Sequence, residues 1–302
     1  MNASRLIPPL KIVLYLLACA SCYLISGSSA LAVDPPPGGG YPNENTALGQ
    51  DALFNLVPGS LGANTALGFQ ALYNNTTGNG NTAIGDNAMY DTTTGSGNTA
   101  VGFWTLHNNM TGENNTVTGY FALVNNSSGY DNTATGEEAI ENNTTGFDNT
   151  ADGTVALTFN TTGIGNTAVG AGALAFNNGN DNTGLGIAAL NFNTTGNGNT
   201  AIGDSALSAN TSGSTNIAIG QLAGGTITTG SNNIDIGNEG VAGESGSIRI
   251  GTRKSQTKTF IAGISKTTVA GGVTVVVNTN GQLGTVTSSA RYKEAIKPMD
   301  KA

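Results

Sequence analysis

Apolar and polar positions in this chain follow a long cycle. It is neither the two-residue beat of a half-buried strand nor the ~3.6-residue beat of a helix. From residue 45 an Asn followed by Thr or Ile recurs at Asn45, Asn64, Asn81, Asn98, Asn115, Asn132, Asn149, Asn166, Asn182, Asn199, Asn216 and Asn233. The interval is 17 residues, apart from a first of 19 and a single one of 16. A glycine stands four residues after every one of these asparagines, from Gly49 to Gly237. In the first ten units Leu, Met or Ile stands eight residues after the Asn, from Leu53 to Leu207. The unit reads N-T-A-x-G-x-x-A-L-x-x-N-T-T-G-x-x.

A unit this short cannot bury its own apolar face, so successive copies must stack. Its length suits one coil of a β-solenoid, whereas helical solenoid repeats run to ~33–47 residues. The fold class expected is all-β: a repetitive parallel β-solenoid, or β-roll, of about twelve 17-residue coils. T-A-x-G is expected to form a short strand, N-T-T-G a corner, and G-x-x-A-L a second strand or a helical turn. Stacking at the ~4.8 Å strand spacing would place the first asparagines in an amide ladder, in a rod of roughly 58 Å. The residue before the conserved-position Gly is mostly Leu, Ile or Val, but Thr118, Thr135 and Asp152 in three consecutive units. A lone inward carboxylate is costly, so this row is expected to face solvent or a seam between chains.

After residue 246 the period fades and apolar runs alternate with turns: SIRIG (247–251), TKTFIAGI (257–264), GVTVVV (272–277) and QLGTV (282–286). Asn280-Gly281 between the last two is a hairpin signal. Residues 247–287 therefore read as a β-rich neck that closes the solenoid, whose repeats occupy 45–246. Beyond it, a Ser cap and Pro298 frame a short terminal helix over 290–296.

Composition removes several classes. The 45 glycines among 302 residues have no three-residue period, which excludes collagen. Without sustained heptads, a coiled coil is excluded too. Net charge is −8, and no Lys or Arg occurs between Ile12 and Ile248 against seventeen Asp and Glu. Such a surface repels phosphates, so no nucleic-acid partner is expected. At the N-terminus, Arg5 and Lys11 precede the apolar run IVLYLLACASCYLI (12–25), and Ala30-Leu31-Ala32 offers a small-x-small cleavage pattern. Residues 1–32 read as a secretory signal peptide and 33–44 as a Pro/Gly-rich leader. The chain is thus expected to be secreted or at the cell surface. It would have no membrane span after cleavage and no cysteine, since Cys19 and Cys22 lie within the signal.

Other apparent motifs dissolve on inspection. GNGNTA (78–83), GSGNTA (95–100) and GAGALA (170–175) imitate phosphate loops but follow from the repeat and lack a strand–helix frame. His107 is the single histidine and is expected on the coil surface; no metal site or cofactor is expected. Glu137, Glu138 and Glu141 read as a solvated acidic face. The Asn-x-Thr sequences at Asn75, Asn143 and Asn160 read as repeat chemistry rather than glycosylation sites.

The N-T-A-[LIV]-G units resemble the head repeats of trimeric autotransporter adhesins, whose N-S-x-A-I-G motif builds a left-handed parallel β-roll in a trimer. The resemblance covers Asn45 to Gly237, with one residue fewer between Asn and Gly. The final residues SSARYKEAIKPMDKA (288–302) resemble the start of the self-cleaving intramolecular chaperone of phage tail spikes and endosialidases. That resemblance implies a serine nucleophile at Ser288 and a lysine base at Lys293, with cleavage between Thr287 and Ser288. Arg291 is retained, and Ser289 stands where that family has an acid. A lysine must be desolvated to act as a base; with nearly all of that domain missing, Ser288 and Lys293 are expected to be inactive. The resulting expectation is a non-enzymatic structural or adhesive rod. It would partner itself as a homotrimer, because each coil brings few apolar groups, and engage surface glycans or host and matrix proteins. The alternatives are a phage-type tail-fibre shaft and a glycan-active or calcium-binding solenoid.

Overall fold

The computed structural model describes residues 43–262, 264 and 270–285. The signal peptide (1–32), most of the leader, Ser288, Lys293 and the terminal helix lie outside the described residues. The chain divides into two units, Met1–Ser255 and Gln256–Ala302, each considered by itself. Among the described residues no helix is long and apolar enough to cross a membrane.

In the first unit, thirteen three-residue strands run from β1 (Thr46–Leu48) through β12 (Ile234–Ile236) to β13 (Ile248–Ile250). They form one parallel sheet in strict sequence order. Register follows the repeat, with Ala66 beside Ala83 and Ala83 beside Ala100, so equal positions of successive units lie in columns. The solenoid expected from the period is present. Its sheet also takes Ile248–Ile250 from the segment assigned to the neck, with Ile234 beside Ile248.

The G-x-x-A-L segment is neither a strand nor a helical turn, contrary to expectation. Counting the ladder Asn as position one, positions seven and nine carry left-handed backbone: Asn87 has φ 55° and Met89 53°, Phe121 55° and Leu123 50°. A left-handed conformation costs an L-residue about 1–2 kcal/mol. Two gains offset it. The ninth side chain is fully buried, in Leu72, Met89, Leu106 and their successors, a burial of about 1.5–3 kcal/mol. Its N–H also donates to the next coil, as in Leu72 to the Ala88 carbonyl at 3.0 Å. The turn thereby keeps the interchain-like ladder of the sheet while tucking a large side chain inward.

The interior is narrow. Ala at most of positions three and eight, with Val117, Gly184 and Thr105 among the exceptions, and the large residue at nine in the first ten units form the apolar core. Close approach demands glycine at position five: Gly119 has φ +142°, and a Cβ there would lie 2.3 Å from the Gly136 carbonyl oxygen. The same close approach recurs from Gly49 to Gly203 and is relaxed at Gly220 and Gly237.

Two columns of buried Asn complete the interior. In the first, Asn81 Oδ1 accepts from the backbone N–H and Nδ2 of Asn98 at 3.0 and 3.1 Å. Asn98 Nδ2 also donates to the Gly112 carbonyl at 2.9 Å. The second column, at position twelve, was not foreseen. Asn109 Nδ2 donates to that same Gly112 carbonyl at 2.9 Å, and Asn126 Nδ2 donates to Asn109 Oδ1 at 2.7 Å. One carbonyl thus ties two corners of its coil together. The second column is interrupted at Thr92, where Thr92 Oγ1 and Asn75 Oδ1 are buried without partners, and it ends at Ile227, which leaves Asn210 Oδ1 unpartnered.

In the second unit, β14 (Val275–Val277) and β15 (Leu283–Thr285) pair antiparallel across Asn280-Gly281, with Val275 beside Thr285. Among the described residues, TKTFIAGI carries no strand.

Two outcomes follow for stability. Gly119→Ala should lower the unfolding free energy by more than ~2 kcal/mol in denaturant titration, since both its φ and the Gly136 carbonyl oppose a methyl; an unchanged midpoint would mean that the coils part easily there. Thr92→Asn should raise it by about 1–2 kcal/mol, because an amide there can donate to Asn75 Oδ1 and accept from Asn109. Loss of stability in that variant would show that the corner has no room for the rung.

Candidate functional site

Since the interior is filled by Ala, Leu and Asn columns, any function must use what the columns present outward. Four features stand out. The first is the strand face. Positions two and four flank the buried third residue, so β5 (Thr116–Thr118), β6 (Thr133–Thr135) and β7 (Thr150–Asp152) alternate exposed, buried, exposed. The fourth-position row faces outward, as the Thr118, Thr135 and Asp152 substitutions imply, and Asp152 is exposed.

The second feature is an aromatic column at position ten. Phe54, Tyr73, Tyr90 and His107 stack at centroid distances of 5.3, 5.0 and 5.1 Å. Trp104 stacks on His107 at 4.2 Å. His107 is therefore not on the coil surface as expected; it is 8% exposed. Its Nδ1 lies 3.1 Å from the Asn87 carbonyl, which selects the tautomer that donates from Nδ1. Burial first, against the weaker opposing pull of that carbonyl and Asp91, lowers its pKa and keeps the ring neutral at pH 7. The signal for this was the unit-by-unit sequence F, Y, Y, H at one position, which a search for metal ligands does not register.

The third is a shallow groove of about 770 Å³ along coils one to five. Its walls are position eleven (Asn55, Asn74, Asp91, Asn108, Asn125) and position thirteen (Thr76, Thr93, Met110, Ser127). Position twelve, the second buried Asn column, lies between the walls in sequence.

The fourth is the charged end of the core. Asp235 takes the place of the inward Ala and is 1% exposed. In the next strand Arg249 lies beside it. Arg249 donates from Nε and Nη2 to both Glu244 oxygens at 2.5 and 2.7 Å. Asp235 Oδ1 has no hydrogen-bond partner. Burial, then the Glu244 charge, push the Asp235 pKa up to about 6 against the opposing pull of Arg249. The hydrogen bond from Arg249 holds Glu244 below its usual range. The apolar column thus stops at an ionic group, which suits the end of a stack.

The remaining sequence-level candidates sort as follows. Asn75, Asn143 and Asn160 are rungs of the buried second column; Asn143 Nδ2 donates to Asn126 Oδ1 and the Gly146 carbonyl at 2.7 and 2.9 Å. A glycan on that nitrogen would require the coil to open. Glu137 is exposed and Glu138 partly so. No group of three or more His, Cys, Asp or Glu converges as a metal site among the described residues. Ser288 and Lys293, the pair implied by the chaperone resemblance, lie outside the described residues.

Asp235 makes stability depend on pH with a definite sign. Its folded pKa exceeds the unfolded value of 3.8, so the fold is favoured when the group is protonated, and stability falls as pH rises from about 4 through about 6. Asp235→Asn should flatten that slope and stabilise the protein at pH 7, by at most about 3 kcal/mol for a shift of two units. Thermal melts of both proteins between pH 4 and 7 read this directly, and parallel curves would remove Asp235 as the cause. No protein family, curated protein or solved structure matches the chain, so its function is argued from these surfaces.

Proposed function

We propose that the chain is a secreted or cell-surface structural and adhesive rod that assembles as a homotrimer, with no enzymatic role of its own. One observation carries the reading: the outward row at position four. Leu48, Ile84, Leu185, Ile202, Ile219 and Ile236 are 37–61% exposed along a single sheet face. The row is apolar in units one to four and eight to twelve and is broken at Thr118, Thr135 and Asp152; exposed apolar stretches of this kind mark association surfaces. A narrow core of Ala and Leu gives each coil little buried area, and pairing the stripes of three chains adds more. The resemblance of the N-T-A-[LIV]-G units to trimeric adhesin heads supports the same arrangement, as does the export signal read in residues 1–32. In an adhesive rod, many equivalent weak contacts along three chains multiply into avidity.

Sedimentation equilibrium tests the assembly. The purified protein should behave as a species of three chains, and the double variant Ile84→Asp with Ile202→Asp should sediment as single chains while keeping its β-sheet circular dichroism. A wild-type protein that stays folded and monomeric at micromolar concentration would end this reading.

A further inference from the structure

The groove along coils one to five is more than a gap between columns, because its walls are built in advance. On one side the eleventh-position side chains hold one another: Asn55 Nδ2 donates to Asn74 Oδ1 at 2.9 Å and Asn74 Nδ2 to Asp91 Oδ1 at 2.7 Å. Higher up, Asn108 Nδ2 donates to Asn125 Oδ1 at 3.1 Å. Each of these amides uses one of its two N–H groups in the ladder. On the other side, Thr76 and Thr93 donate their hydroxyls to the carbonyls of the next coil at 2.9 and 2.8 Å. Their oxygens keep lone pairs for an incoming donor. Side chains fixed in this way lose little further freedom when a ligand arrives. The wall also ends at a definite place. At position eleven Asn142 is followed by Phe159, Phe176 and Phe192, which stack at 4.8 and 5.5 Å.

The chemistry of the lining restricts the occupant. Amides, hydroxyls and the exposed Met110 supply neutral hydrogen-bonding groups and one apolar contact, and Asp91 is the single charged group in the lining. With no Lys or Arg between Ile12 and Ile248, nothing here balances an anionic ligand. An extended peptide also fits poorly. The backbone N–H and C=O groups of these coils already bond along the stack, so no sheet edge is offered for strand addition. A peptide laid along the axis repeats every ~6.6–6.8 Å per side-chain pair, out of step with coils spaced ~4.8 Å apart. An extended chain of 1,4-linked pyranose rings advances by about one coil spacing per ring, and each ring presents hydroxyls to both sides.

The geometry points to a binding groove for a neutral, unbranched β-1,4-linked hexopyranose chain lying along the solenoid, one sugar to a coil. The inference rests on the adhesive reading, for which it names the ligand class. Asn74, Asn108 and Asn125 donate to ring hydroxyls, Thr76 and Thr93 accept from them, and Asp91 accepts hydrogen bonds from hydroxyls while turning away uronic or sulfated chains.

Isothermal titration of the full chain with cellohexaose, and with polygalacturonate as an anionic control, tests this. Cellohexaose should bind and polygalacturonate should not. Thr93→Trp, which fills the groove from a partly exposed corner, should weaken cellohexaose binding at least about tenfold while the β-sheet circular dichroism is retained. Asn108→Ala is the second variant, expected to weaken binding about threefold to tenfold through the loss of one hydrogen-bonding side chain. Failure of the wild-type protein to bind cellohexaose at millimolar concentration overturns the inference. So does equal binding of polygalacturonate, or binding that both variants leave intact. Sedimentation of the same samples separates the two readings: a trimer that ignores cellohexaose removes the groove and leaves the rod.

Discussion

The structure depends on one constraint: a buried amide must find partners, and in this molecule it finds them in the coils above and below and in one glycine carbonyl of its own coil. Asn98 uses its oxygen on Asn115 and its nitrogen on Asn81 and the Gly112 carbonyl. Removing any rung strands polar atoms on both neighbours, at about 1–3 kcal/mol per unsatisfied group. The spacing of coils, their register and the identity of residues at positions one and twelve all follow. Apolar packing alone would not enforce this, because Ala and Leu columns tolerate small slips.

The same constraint explains where the sequence is free. Inward positions are mostly Ala, a large aliphatic residue or Asn, and position five is glycine, while positions six, seven, ten, eleven and thirteen vary more from unit to unit. Variation there is nonetheless columnar. Phe54, Tyr73, Tyr90 and His107 stack because the coil spacing falls within the centroid range of offset-stacked rings, and it also brings the Asn55, Asn74 and Asp91 side chains within hydrogen-bond reach. A solenoid of this kind builds extended surfaces by repeating a side-chain type, which is how a groove arises without any loop to shape it.

Ends and defects show what stacking costs. Asp235 closes the alanine column with a buried carboxylate beside Arg249, and Ile227 replaces the last rung of the second Asn column. Thr92 interrupts that column in its interior, leaving two polar atoms without partners. A stack can carry such local defects because each coil answers only to its neighbours.

The seventeen-residue period, the Asn followed by Thr, and the glycine four residues on were enough to determine a parallel solenoid with a buried amide column, because only stacking lets so short a unit bury anything. The outward orientation of Thr118, Thr135 and Asp152 was legible too, since an unpaired carboxylate cannot be placed inside cheaply, and Asn280-Gly281 marked its hairpin. Other features required the three-dimensional fold. Nothing local tells a bulky Leu123 or Ile140 to adopt a left-handed backbone; the core's need for a large side chain and the next coil's carbonyl decide it together. The N-T-T-G asparagines read as corner residues, and the fold adds that their side chains are buried and joined, as Asn109 is through the Gly112 carbonyl, to the first column. His107 looked solvent-facing because Tyr90 becomes its neighbour only when one coil is laid upon the next, and Trp104 reaches it only through the left-handed turn within its own coil.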